Sequence, residues 1–363
     1  MKYLILDTSK EFRGGQQQIC YLAPGLIQKG LDITVCVRDG SLLNKKLAEL
    51  GTPTVSVQPL FEGSPSGTVK LAGLIKNHGF SLLNAQSSHD HTLAWFASKL
   101  IRPKPALVVT RRVDFAPGSS FFNRRKYLHG ANHYIAISGA IGDVLAAGQI
   151  PREKISVVHS SVETAERVPN ARAEIIDELS LPADSILIGD IASLVDHKGH
   201  TYLLKAFPKV LKTEPRARLL LAGRGDLRHS LEREAADLGI SDQVHFLGQR
   251  EDVPRLHCAF DLFVMTSHLE GLCTSILDAM SARTPVVATS AGGIPEIVRH
   301  GQTGLLADSK SPESIAANIL KTLKDREITA QRIERAFQMV ETEFGVKKMV
   351  DRTAAIYRQL TDS

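Results

Sequence analysis

Thr266-Ser267-His268-Leu269-Glu270-Gly271-Leu272-Cys273-Thr274-Ser275-Ile276-Leu277-Asp278-Ala279-Met280 follows an apolar run, Leu262–Met265, that reads as a buried strand. The stretch reads as a short polar turn entering a helix over 274–283. Strand, turn and helix form the unit from which parallel α/β sheets are wound. The first amides of such a helix lack internal partners and carry positive dipole character, which makes an exposed helix start a natural seat for phosphate. Glu270 stands just before the helix and Asp278 eight residues later, a separation of about 12 Å along the axis at ~1.5 Å per residue. That spacing suits one acid at a hexose and the other at a ribose, with a diphosphate between them. The plainer reading makes Glu270 an N-terminal helix acid and Asp278 a surface acid.

Outward from this stretch the same alternation recurs. Strands are expected at 186–192, 218–222, 243–246 and 285–288, with helices at 200–212, 227–239 and 312–324. An earlier series places strands at 3–7, 33–37, 54–57, 81–84, 106–110 and 134–137, with helical stretches between them, among them 16–29. Ser138 reads as the N-cap of a helix that ends near Gly148. Such alternation implies two doubly wound parallel sheets, with ligands outside the strand C-termini at each switch point. The segment between the two series is rich in Glu, Ala, Arg and Pro and reads as a linker with a short helix. The closing stretch 346–360 carries Met349, Val350, Ala354, Ile356 and Tyr357 at helical spacing.

Other turns carry candidate chemistry. Ser193-Leu194-Val195-Asp196-His197-Lys198-Gly199-His200 follows the second series' first strand and sets a lysine beside free backbone amides. A departing diphosphate needs such neutralisation; an ordinary solvent-exposed Lys-Gly turn is the plainer reading. Gly14 and Gly15 follow strand one and open a helix, where paired glycines let a ligand approach the backbone. Gly223-Arg224-Gly225 lacks the third glycine of a dinucleotide fingerprint, and Gly292-Gly293 reads as a structural turn. His89-Asp90-His91 suggests a metal, but no partner stands at ligand spacing; a cleft-lining role and a helix-start role remain. The chain contains no Asp-x-Asp and no Gly-x-Ser-x-Gly, which argues for charge stabilisation by lysine and helix dipole and against serine hydrolysis.

At 363 residues, 43% hydrophobic and 23% charged, the chain suits two globular domains. No apolar run approaches the ~20 residues of a spanning helix. Met1-Lys2-Tyr3-Leu4-Ile5-Leu6-Asp7 reads as a buried strand and not as a signal peptide. Cys20, Cys36, Cys258 and Cys273 lie far apart among apolar neighbours, as reduced thiols would. A cytoplasmic location is therefore expected. The net charge of +5 is unevenly spread: from Arg102 to Lys126 there are seven basic residues against Asp114 alone, interleaved with Phe115, Phe121 and Phe122. This is either a solvated face or a surface for anionic headgroups or a phosphorylated acceptor. Nucleic acid is disfavoured, because no recognised module accompanies the patch.

Together these segments resemble the retaining glycosyltransferases of the GT-B fold, in particular the GT4-type family of lipopolysaccharide and phosphatidylinositol sugar transferases. The resemblance covers nearly the whole chain. The family's paired acids fall at Glu270 and Asp278, the second being glutamate in the family. By this resemblance Glu270 contacts the donor sugar and Asp278 the ribose, while the amides of Gly271, Leu272 and Cys273 hold phosphate and sugar oxygens. Lys198 matches the lysine that neutralises the diphosphate. Gly248-Gln249-Arg250 matches the segment bordering the base, and Gly14-Gly15 the loop facing donor and acceptor. Val158-His159-Ser160-Ser161-Val162-Glu163 looks like the motif that closes the first domain. Ser193 lies where the family has an arginine before the lysine loop, so the diphosphate has one cation fewer unless Arg13, Arg224 or Arg250 supplies it. His89, His91, Arg111 and Arg112 are the acceptor-side candidates; Thr110-Arg111-Arg112-Val113-Asp114 replaces a segment that often carries histidine.

The expectation is a GT-B α/β chain with two Rossmann-like domains facing across a cleft. An acceptor-side domain spans 1–163, a linker 164–184 and a nucleotide-sugar domain 185–342, and 343–363 is a helix crossing back to the first domain. Lys198 and Glu270 are the expected catalytic residues, and Ser193 is expected among the donor contacts. The implied activity moves a sugar, with retention and without metal or other cofactor, from a nucleoside-diphosphate sugar to a hydroxyl of a glycolipid or glycan in lipopolysaccharide or other cell-surface polysaccharide synthesis. Peripheral contact with the inner face of an anionic membrane through the basic segment is expected. Two rivals stand: a sugar-nucleotide epimerase of the same architecture, and a non-catalytic protein recruited to membranes.

Overall fold

The computed structural model describes residues 1–59, 61, 63–112, 120–164 and 166–362. Asp114 and Phe115 of the basic segment lie outside the described residues, as does Val113. The chain divides into two units: Met1–Ser161 with Val346–Ser363, and Val162–Gly345.

The first unit is built on β1 (Lys2–Asp7), β2 (Asp32–Val37), β3 (Thr54–Ser56), β4 (Phe80–Ala85), β5 (Ala106–Arg111), β6 (His133–Ala136) and β7 (Ile155–Val157). They form one sheet in the order β3-β2-β1-β4-β5-β6-β7, with every pair parallel. Near-continuous apolar runs such as Tyr3-Leu4-Ile5-Leu6 are buried on both faces, as crossover helices on each side require. The strand order reverses between β1 and β4, so that unit's switch point lies at their C-terminal ends.

The closing helix, Val346–Thr361, belongs to this first unit. Met349, Val350, Ala354, Ile356 and Tyr357 join its core. The helix lies so close to Gly14–Gln28 that a Cβ on Gly25 would stand 2.5 Å from a Val350 methyl. Tyr357 stacks on Tyr3 with ring centroids 5.5 Å apart and accepts a 2.6 Å bond from the Asn84 amide. The return of the last helix to the first domain, expected from its apolar stripe, is what the structure shows.

The second unit carries β8 (Ile186–Ile191), β9 (Ala217–Ala222), β10 (Val244–Gly248), β11 (Leu262–Met265), β12 (Val286–Thr289) and β13 (Leu305–Ala307). Their order is β10-β9-β8-β11-β12-β13, all parallel, and the reversal lies between β8 and β11. The stretch 164–184, expected as a linker, contains the helix Ala171–Glu178. Glu174 and Glu178 of that helix ion-pair with Arg255 of the helix Val253–Ala259, so this stretch is fastened to the second unit. Two short strands, β7 and β13, and the long helix Arg326–Glu343 add to the elements read from sequence.

Candidate active site

The loops after β8 and β11 meet at the second switch point. Their backbones are joined: the His268 amide donates to the His197 carbonyl at 2.9 Å, and the Thr266 hydroxyl donates to the carbonyls of Lys198 (3.2 Å) and Gly199 (3.1 Å). Gly199 has φ +71°, and a Cβ there would fall 2.1 Å from the Thr266 carbonyl, so any side chain would drive the loops apart.

This junction holds Lys198 against Glu270, Nζ to Oε2, in a largely buried ion pair. Ser267 adds a 3.3 Å hydroxyl contact to the same carboxylate oxygen. Burial lowers the Lys198 pKa, but the charge of Glu270 and its hydrogen bond, together with the Asp190 charge, act against burial, and the pKa lies above its ordinary value. The ammonium is therefore fixed as a cation. Behind Glu270, Gly292 has φ +50° and passes so close that a Cβ would sit 1.7 Å from the Glu270 carbonyl, while Gly293 N–H donates to that carbonyl at 3.2 Å. The glycine pair read as a structural turn is the backing of the acid.

The helix Thr274–Ser281 starts immediately beyond, and no side chain caps it. Among the described residues, none of the amides from Gly271 to Ser275 has a hydrogen-bond acceptor. Five successive amides without acceptors at a helix start, beside a lysine, suit an anion where they are reachable. The sequence suggested an exposed start; the structure differs. Leu272 is 5% and Cys273 3% exposed because their apolar side chains turn inward, and only Thr274 and Ser275 remain partly open. Burial pushes the Cys273 thiol up to about 12, with the Glu270 charge acting in the same direction, so it stays protonated and apolar near neutral pH. Asp278 is partly buried, and desolvation pushes its carboxyl up to about 7.

Ser193 is exposed on the loop after β8. Gly248 ends β10 with φ +69°, and its carbonyl accepts the Gly223 amide at 2.8 Å. Gln249 is exposed. The Arg250 guanidinium bonds Asp252 through two 2.8 Å contacts and also pairs with Glu178. Arg250 is thus already satisfied by acids.

In the first unit Gly14 and Gly15 open the helix Gly14–Gln28, whose cap is completed by Gln16 Oε1 accepting from the Arg13 amide at 2.9 Å. Arg112 lies against them: a Cβ on Gly15 would stand 3.2 Å from Arg112 Cδ. Its guanidinium donates to Gln86 Oε1 at 2.9 Å and Ser160 Oγ at 3.4 Å, and burial lowers its pKa to about 10. Alternation along β5 sends the preceding Arg111 the other way, to the Tyr127 hydroxyl at 2.6 Å.

The trio at 89–91 does not converge on a point. His89 is partly exposed. Asp90 is fully buried, accepting from Thr8 N (3.1 Å), Thr8 Oγ1 (2.7 Å) and Ser87 Oγ (2.6 Å); burial, with the nearby Asp7 charge, pushes it up to about 7. His91 is fully buried edge-on to Tyr127, with its pKa lowered to about 3 by burial and then by Lys126, so it is a neutral packing residue without a ligand-facing surface. The sequence reading missed Asp190, buried at the end of β8 with His200 Nε2 3.3 Å away. The available signal was an acid inside an apolar strand.

Comparison with known proteins matches both units. A family model described as Glycosyltransferase Family 4 matches residues 12–166, and one described as Glycosyl transferases group 1 matches residues 171–339. The N-acetyl-alpha-D-glucosaminyl L-malate synthase of Bacillus anthracis is 28% identical over 57% of this chain, and the match spans about half, 54%, of that protein's length. The lipopolysaccharide core biosynthesis glycosyltransferase LpsE of Rhizobium meliloti is 30% identical over 93% of this chain and 94% of its own. The crystal structure of Anabaena HepE in complex with UDP-glucose superposes with a TM-score of 0.87 at 23% identity, covering 99% of this chain and 100% of that one. That last likeness is one of fold, and the fold is GT-B. With both units matched and a relative aligned along almost its whole length, the chain belongs to the GT4-type, group 1 family of glycosyltransferases.

Proposed function

We propose that the chain transfers a hexose from a nucleoside-diphosphate sugar to a hydroxyl of a glycan or glycolipid, with retention of anomeric configuration and without a metal ion. The observation that carries this reading is the run of acceptor-less amides from Gly271 to Ser275 beside the buried Lys198–Glu270 pair. In this reading the diphosphate sits on those amides and takes Lys198 as its counter-ion, releasing Glu270 to the sugar hydroxyls. Asp278 receives the ribose, and Gly248 and Gln249 border the base. The bond from the anomeric carbon to the diphosphate breaks and a bond from that carbon to the acceptor oxygen forms, while the hydroxyl proton passes to the departing diphosphate. Fixed donors and a lysine cation supply the stabilisation that a metal gives elsewhere. The named activity of LpsE and the UDP-glucose held in the HepE structure support a nucleotide-sugar donor and an acceptor in lipopolysaccharide or a related surface polysaccharide. Gly14, Gly15 and Arg112 fit the acceptor side.

The test is turnover of UDP-, GDP- and ADP-sugars with a lipopolysaccharide-core acceptor in excess chelator. Transfer that needs the acceptor, survives chelation and gives an unchanged anomer by NMR is the expected result. Conversion of the donor alone would favour an epimerase, and no consumption of any donor would favour a non-catalytic binder.

A second reading concerns location. Phe121 is 80% exposed at the start of the helix Phe121–His129, whose Arg124 and Arg125 also face solvent, with Leu100, Arg102 and Lys104 exposed nearby in sequence. Bulky apolar groups among cations suit peripheral binding at the cytoplasmic face of an anionic membrane. Co-sedimentation with phosphatidylglycerol vesicles but not with neutral ones, lost in Phe121→Ala/Arg124→Ala, is expected; equal binding to both would remove this reading.

A further inference from the structure

We infer that Arg224 is the second cation on the donor diphosphate, an assignment that rests on the donor-site reading above. Lys198 and Glu270 neutralise each other, so the junction of the β8 and β11 loops has little net positive charge for a doubly ionised diphosphate. The free amides supply partial charges only, and another full cation is needed at the same sheet edge.

Among the described residues, ion pairing decides which one is available. Of the lysines and arginines on the loops and helix starts following β8, β9, β10 and β11, Lys198 is paired with Glu270, Arg228 with Glu232, Arg250 with Glu178 and Asp252, and Arg255 with Asp252 and Glu178. Arg13, in the other unit, pairs with Glu11. Arg224 is exposed, and its side chain has neither an ion pair nor a hydrogen bond among the described residues. A lone surface arginine is ordinary by itself. What distinguishes this one is how its backbone is held.

Arg224 lies between two glycines, each pressed onto the loop that leads to Lys198. A Cβ on Gly223, whose φ is +149°, would fall 1.9 Å from the Ala192 carbonyl, and one on Gly225 would fall 2.1 Å from the Leu194 carbonyl. The Arg224 carbonyl accepts the Leu194 amide at 2.8 Å, Leu227 N–H donates to the Leu194 carbonyl at 3.1 Å, and Gly223 N–H donates to the Gly248 carbonyl. The loop after β9 is therefore clamped flat against Ala192-Ser193-Leu194, with no room for a side chain at 223 or 225. Residue 224 is the one position between them that carries a side chain, directly beside the exposed Ser193. A guanidinium presented there offers planar, bidentate donation to phosphate oxygens.

The experiment compares calorimetric affinities for UDP, UMP and uridine, and for the corresponding guanosine and adenosine sets, using whichever set the unaltered chain binds. The diphosphate should bind more tightly than the monophosphate. Arg224→Ala should shrink that preference about ten-fold or more, with the melting temperature unchanged. Arg224→Lys should retain part of it, and Asp226→Ala, on the same loop, all of it. An unchanged preference in Arg224→Ala would overturn the assignment while leaving the donor site intact. Equal losses for the diphosphate, the monophosphate and the unphosphorylated nucleoside would also overturn it, placing Arg224 on base or ribose. Failure of the unaltered chain to bind any of these nucleotides would remove the donor-site reading and Arg224 with it.

Discussion

Lys198 and Glu270 each depend on the other, because neither charge has much water around it. Removing one partner leaves the other poorly solvated, which typically costs about 3–5 kcal/mol for a buried pair. Lys198→Ala should therefore lose both stability and turnover, and its lost activity alone would not separate chemistry from folding. The double variant Lys198→Ala/Glu270→Gln removes both charges. Its melting temperature should recover most of the way to that of the unaltered chain, while turnover stays at least about a hundred-fold down. Recovery of both would make the pair merely structural. Asp278 gives a separate, pH-resolved prediction. Its folded pKa of about 7 lies above the ordinary 3.8, so its contribution is fully present below 3.8 and is lost as pH rises through 7. Asp278→Asn, neutral throughout, should match the unaltered chain near pH 4 and melt higher at about pH 8. A melting difference independent of pH would contradict this desolvation. The turn positions of Glu270 and Lys198 were legible in sequence, but their direct pairing across 72 residues was not. Nor was the capture of Arg250 by Glu178, since an arginine's partner is set by tertiary structure.

The elements most legible in sequence are those with an apolar run and a turn signal at each end. β1 and β11 are buried on both faces and read as apolar runs, and β8 as a run interrupted by Asp190. β7 and β13 have three residues each at sheet edges, and their identity comes from pairing with β6 and β12. The final helix was legible as an amphipathic stripe, though its docking partner was not. That partner is the helix Gly14–Gln28, and the contact is tight enough to test. Gly25→Ala places a methyl into Val350, and overpacking of this kind costs about 1–3 kcal/mol. Adding Val350→Ala should restore part of that loss, and the double-mutant cycle should show coupling. Purely additive effects would mean that the two helices do not bear on each other at this point.

At the scale of the whole molecule, the two sheets use one plan: parallel strands, a central reversal of strand order, and the candidate site residues on loops at the C-terminal edge of the strands. In the second unit the edge carries Lys198, Glu270 and the free amides; in the first it carries Gly14, Gly15, Arg112 and the buried Asp90. The strand-helix alternation announced this plan, while burial of the helix start at Leu272 and Cys273 did not follow from it. The central claim is that a diphosphate occupies the Gly271–Ser275 amides with Lys198 as its counter-ion. Calorimetric titration with UDP, GDP and ADP tests it most directly, on the unaltered chain and on the stability-restored Lys198→Ala/Glu270→Gln variant. Binding of at least one nucleotide to the unaltered chain, weakened about ten-fold or more in the variant, is the predicted result. Equal affinity in the two proteins, or no binding to the unaltered chain, would contradict it.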